Sequence, residues 1–183
     1  MRLLASSTTP RQGRRRPGGF TLVELIAVLL IVAIMAGVAV PTLGSISGTR
    51  ASMAARQLLS DMTFARQRAL ATGTTCWVKF DTAAKTWTLL RDDPSNPGLA
   101  NAIILADMAT GSTYVTTLGS GQYIGVDFNS CDFDSGTSVG FNWLGEPLKA
   151  NGTALAAQGS AVLTNNHQIT VNASTGMVTH ITP

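Results

Sequence analysis

The sequence predicts an α+β protein: one long N-terminal helix, apolar in its first half, packed on a C-terminal antiparallel β-sheet domain. Three observations carry that prediction. Residues 25–40 hold no charged side chain. Apolar residues then recur at helical spacing as far as position 69, and from position 74 the pattern changes to short aromatic and β-branched runs between polar turns. Length agrees, since 183 residues with 45% hydrophobic content suffice for about one globular domain beside the apolar segment.

The formal charge of +3 is an N-terminal feature. Arg2, Arg11, Arg14, Arg15 and Arg16 supply five of the 13 basic residues, and the chain beyond them is slightly acidic. An arginine cluster beside an apolar helix stays cytoplasmic, so it reads as a topology signal. It gives little reason to expect a nucleic-acid surface.

From residue 20 to 40 the apolar run gives roughly 31 Å of helix at 1.5 Å per residue, enough to span a bilayer. Three readings compete. One is a removable secretory signal, for which Gly37-Val38-Ala39 offers small residues at a cut after Ala39. The others are an ordinary membrane anchor and a segment cut just before the apolar run. Glu24 fits the first poorly, because a carboxylate in an apolar segment costs about 2.5 to 3.5 kcal/mol at its centre, less near the interface, and calls for a partner. A cut between Gly19 and Phe20 creates one. The new α-amino group is cationic or nearly so at neutral pH, and Glu24 lies one helical turn further on. The carboxylate then neutralises its own N-terminus or that of a neighbouring subunit. Such a pair sets the axial register between packed helices, since either charge left alone in an apolar environment is heavily penalised.

Gly19-Phe20-Thr21-Leu22-Val23-Glu24, after a short arginine-rich leader and before an apolar helix with Pro41, resembles the class III signal of type IV pilins and type II secretion pseudopilins. The resemblance implies that a membrane-embedded aspartyl prepilin peptidase cuts after Gly19 and methylates the new amine of Phe20. It implies that Glu24 is the register carboxylate and that Pro41 kinks the helix at the end of its apolar half.

Beyond Pro41 the helix is expected to continue through a weak stretch. Proline removes a backbone donor, and Gly37, Gly44 and Gly48 each lower helix propensity by about 1 kcal/mol. Ile46, Met53, Leu58, Met62, Ala65 and Ala69 then form one amphipathic stripe. Arg50, Arg56, Arg66 and Arg68 read as its solvated face. Thr72-Gly73 is the stop, because glycine accepts the left-handed conformation that ends helices.

Residues 76–80 and 86–90 read as a hairpin, and 92–98 (DDPSNPG) as a loop. Further strands are expected at 103–105, 114–117, 123–128, 139–143, 161–163, 168–171 and 177–181. The segments 58–70, 141–147 and 169–178 resemble the minor pseudopilin H and FimT/FimU group. Its members join a short periplasmic pseudopilus that helps export folded proteins, or initiate and cap pili. The organisation implied is a leader at 1–19, a membrane and assembly helix at 20–41, an amphipathic helix at 42–72 and a periplasmic β-rich domain at 73–183.

Catalytic chemistry has little support. His167 and His180 are the only histidines, Cys76 and Cys131 the only cysteines, and no C-x-x-C, H-E-x-x-H or G-x-S-x-G motif occurs. No catalytic residue, metal or cofactor is expected. Residues 127–136 concentrate oxygen ligands, yet depart from the EF-hand spacing; a polar turn is the reading and calcium the alternative. Cys76 and Cys131 are compatible with a disulfide in an oxidising periplasm, and the sequence leaves their pairing open.

The expected function is therefore a minor pseudopilin of type II secretion, held in the inner membrane with its N-terminus cytoplasmic. Its implied partners are the prepilin peptidase, other pseudopilins or minor pilins, and an inner-membrane assembly platform. The alternative is a minor type IV pilin for pilus initiation or DNA uptake. DNA binding is disfavoured because Gly176-Met177-Val178-Thr179-His180 lacks the arginines that phosphate contacts require.

Overall fold

The computed structural model describes residues 19–107 and 110–182, and within the helix the side chains of 37–46 lie outside that description. The expected leader, 1–19, therefore falls outside it except for Gly19. The chain divides into two compact units, Met1–Pro41 and Thr42–Pro183.

One helix, α1, runs over Leu22–Thr72. It continues through Pro41 and the three glycines that weaken it, while a kink at Pro41 falls among the side chains outside the description. Its end follows the expected chemistry: Gly73 takes φ +68° and its N–H donates to the Ala69 carbonyl at 3.0 Å. The Thr72 hydroxyl closes the last turn by donating to the Arg68 carbonyl at 2.8 Å.

Among the described residues ten strands follow, all paired antiparallel. They are β1 (Cys76–Asp81), β2 (Thr86–Arg91), β3 (Ile103–Ile104), β4 (Val115–Thr117), β5 (Phe128–Asp132), β6 (Ser138–Phe141), β7 (Pro147–Leu148), β8 (Gly159–Leu163), β9 (Gln168–Val171) and β10 (Val178–Ile181). They form two sheets. The first has the order β3-β2-β1-β6-β7 with β4 also on β2, and the second the order β10-β9-β8-β5.

The buried face of α1 is built from smaller side chains than the sequence suggests, and Ile46 of the expected stripe lies outside the described side chains. Leu58, Met62, Ala65 and Ala69 are fully buried as expected, but Met53 is 47% exposed, and Ala51, Ala54 and Ala55 take the inward positions instead. Alanines allow close approach of helix to sheet. Large side chains come from the sheets: Phe80 stacks on Phe133 at 5.4 Å between ring centroids and meets Phe128 edge-on at 5.8 Å. Trp87 meets the same Phe128 at 6.2 Å, so one aromatic cluster ties the two sheets together.

Two expectations are corrected here. The strand expected at 123–128 begins only at Phe128, and residues 121–123 form a 3₁₀ turn that buries Tyr123. Residues 127–136, read as a polar turn, instead contain β5, which pairs with β8 at the edge of the second sheet. Their carboxylates are spent locally: Asp127 pairs with Lys85, Asp134 pairs with Lys149 at 3.1 Å, and Asp132 accepts from the Ser135 N–H at 2.7 Å.

Candidate functional site

The segment expected to be processed lies at the start of α1. Gly19, Phe20 and Thr21 are non-helical and the helix begins at Leu22. Thr21 is the reason. Its hydroxyl accepts from the Glu24 N–H at 3.2 Å, and its carbonyl accepts the first intrahelical bond from the Leu25 N–H at 3.1 Å. This is an N-cap, and Thr21-x-x-Glu24 has the spacing of a capping box. Sequence reasoning passed over Thr21, although the T-x-x-E pattern was available to find it. Glu24 gains from the same position, because an acidic side chain in the first turn complements the helix dipole.

The bond between Gly19 and Phe20 is open. Among the described residues no atom beyond its chain neighbours lies within 4 Å of where a Cβ on Gly19 would stand, and Phe20 is 78% exposed. The apolar side chains that follow are exposed on every face of the helix, among them Leu22, Val23, Leu25, Leu29, Leu30 and Met35. An all-apolar helix needs an apolar environment around it, whether lipid or other helices. Among the described residues no helix is long and apolar enough to cross a membrane; the described side chains of this stretch end at Ala36.

In the second unit, Arg66 departs from the solvated face expected of it. Its Nε donates to the Gly145 carbonyl at 3.2 Å and its Nη2 to the Thr175 carbonyl at 3.0 Å. One guanidinium thereby clamps the β6–β7 and β9–β10 turns to α1. These turns touch so closely that a Cβ on Gly176, at φ +63°, would stand 2.0 Å from the Gly145 oxygen. Only glycine fits there.

The remaining candidates take structural places. His167 Nδ1 and His180 Nε2 lie 3.2 Å apart, one ring donating to the other; His180 is on β10 and His167 stands just before β9, the strand β10 pairs with. Cys76 and Cys131, whose pairing the sequence leaves open, are free thiols on different sheets. Burial pushes the Cys76 thiol up to about 11 and the Cys131 thiol up to about 12, so neither is a ready nucleophile. Among the described residues no group of three or more histidine, cysteine, aspartate or glutamate side chains is placed to hold a metal ion.

A capped apolar helix, followed by an amphipathic half laid on two antiparallel sheets, defines the pilin-like class of subunit. The prokaryotic N-terminal methylation motif matches residues 14–40, and the family of the type II transport protein GspH matches residues 54–176. The chain belongs to that GspH family, the minor pseudopilins of type II secretion. Two solved structures of the minor pseudopilin EpsH from the type 2 secretion system of Vibrio cholerae share the fold. One aligns with a TM-score of 0.54 at 12% identity over 73% of this chain and 96% of that one. The other gives 0.55 at 11% over 74% and 97%. No curated protein sequence matches at a significant level.

Proposed function

We propose that the chain is made as a precursor, cut between Gly19 and Phe20 by a prepilin peptidase, methylated on the Phe20 amine and assembled through its N-terminal helix into a pseudopilus. Before assembly, residues 20–41 hold it in the inner membrane, with the N-terminal arginines cytoplasmic and residues 73–183 periplasmic. Its contribution to secretion is mechanical, as a subunit packed among other pseudopilins on an inner-membrane platform, and it catalyses nothing itself.

The observation that carries this reading is Glu24, a single carboxylate in the first turn of a helix whose other described side chains as far as Ala36 are apolar or small and uncovered by protein. Cleavage supplies its counter-charge. In an apolar medium the pair is favoured only if both partners meet, so each added subunit is held at the axial position where its Glu24 faces an N-terminal amine. The exposed Gly19–Phe20 peptide, lying outside the helix, suits a protease, which needs an extended substrate backbone.

Intact-mass measurement of the membrane-extracted protein tests the processing step. The expected mass is that of a chain starting at Phe20 with one methyl group, and a chain cut after Ala39 would replace this reading with a secretory signal. Gel-shift assays with duplex DNA at moderate salt separate the pilus alternative, since a DNA-uptake subunit retards the duplex and a pseudopilin does not.

A further inference from the structure

The last turn of α1 and the edge strand β3 face each other across an open groove of about 420 Å³, lined by Arg68, Thr72, Thr74, Arg91, Ile103 and Ile104. β3 pairs with β2 on one side, Leu90 opposite Ile104 and Arg91 opposite Ile103. No described strand flanks it on the other. An unpaired edge is a template for another strand, and proteins usually blunt such edges with charge or proline. This edge carries two isoleucines, 42% and 45% exposed.

Two arginines, Arg68 and Arg91, also line the groove. The described ion pairs engage Lys85 and Lys149, and neither Arg68 nor Arg91 meets a carboxylate. The nearest acid, Asp92, is turned to the Trp77 indole at 2.6 Å and the Gly98 N–H at 3.1 Å. Arg91 stands opposite Cys76 at the start of β1, so the groove lies at that end of the strand, with Asp92 beside it. The Thr72 and Thr74 hydroxyls, 2.8 Å apart, line the floor between helix and sheet.

We propose that this groove binds an extended acidic peptide segment of another protein, which adds to the free edge of β3 and places a carboxylate between Arg68 and Arg91. Main-chain hydrogen bonds to an edge strand supply affinity and flanking side chains supply specificity. Guanidiniums bind carboxylates with charge-assisted, bidentate geometry. Ile103 and Ile104 suit β-branched neighbours of that carboxylate. A nucleic acid suits the groove less well, because two arginines offer few phosphate contacts and no aromatic side chain lines it for base stacking. The inference needs only the folded sheet domain and stands apart from the assembly reading.

Selection from a random dodecapeptide library displayed on phage, against the full chain in detergent micelles, is the test. The selected peptides are expected to carry aspartate or glutamate flanked by β-branched residues. Fluorescence-polarisation binding of a selected peptide should weaken about 10-fold or more when its acid becomes the amide, or in the R68Q/R91Q double variant with unchanged thermal melting. Backbone N-methylation of the peptide at alternate residues should also abolish binding, which tests strand addition without altering the protein. The proposal is overturned by a failure to enrich any peptide, by enriched peptides that lack an acid or ignore the double variant, or by full binding of the N-methylated peptide. Displacement of the peptide by a single-stranded oligonucleotide of higher affinity would assign the groove to nucleic acid instead.

Discussion

Asp61 on α1 accepts a hydrogen bond from the indole N–H of Trp87 on β2 at 2.7 Å, and both residues are buried. Gln57 donates to the other carboxylate oxygen at 2.8 Å. The helix is thus joined to the sheet by a polar contact inside an apolar core, next to Trp87's packing on Phe128. Trp87→Phe keeps most of the ring and removes the donor, leaving a buried acceptor short of one partner. It should cost about 1–3 kcal/mol in urea unfolding at pH 7.

Burial raises the Asp61 carboxyl above its ordinary value of 3.8, with the bonds from Trp87 and Gln57 opposing the shift. The folded state then binds this proton more readily than the unfolded state, so its contribution to stability falls as pH rises from 3.8 through the raised value. Asp61→Asn retains an acceptor for the indole and should remove that slope. A pH series of unfolding midpoints for the two proteins checks it.

The histidine pair acts with the opposite sign. Burial first, and the neighbouring His167 and Arg56 next, hold His180 below its ordinary 6.5. The folded state resists protonation, so the stabilisation is complete above about pH 6.5 and is lost as pH falls through the lowered value. His180→Gln should flatten this loss. Hydrogen exchange of β9 and β10 at pH 5 and pH 7.5 reports it locally.

Arg66→Lys keeps the charge but loses the fork that reaches two carbonyls. Expected are a loss of about 1–2 kcal/mol and faster amide exchange in the turns around Gly145 and Thr175, with β1 and β2 unchanged.

Gly159 marks a place where the sheet admits no side chain, since a Cβ there would stand 2.2 Å from Cδ1 of the buried Phe133. Gly159→Ala should destabilise by about 1–3 kcal/mol through overpacking. Gly159→Ala combined with Phe133→Leu should recover part of that loss if the clash is the cause.

Features that depend on near neighbours in sequence were legible. The Gly73 stop, the hairpin of β1 and β2, and the Gly19-to-Glu24 motif each lie within a few residues, and local chemistry determines them. Features set by distant pairing were not. Arg66 meets carbonyls 79 and 109 residues away, so its pattern on the helix looks like any solvated charge. The split into two sheets follows from β1 choosing β6 and β5 choosing β8, which no local signal encodes. β5 itself, Phe-Asn-Ser-Cys-Asp, was missed because a half-exposed edge strand carries little of the apolar alternation that identifies strands. Met53 was misplaced for a related reason: the alanines that actually face inward are too small to stand out in a periodicity.

On the proposed function, Glu24 couples processing to assembly. Its most direct test is site-directed disulfide crosslinking between engineered cysteines on adjacent subunits in cells expressing Glu24→Ala. The variant should be cut after Gly19 and retained in the membrane at normal levels, yet give no filament crosslink. Crosslinking of Glu24→Ala at the level of the unaltered chain would contradict it.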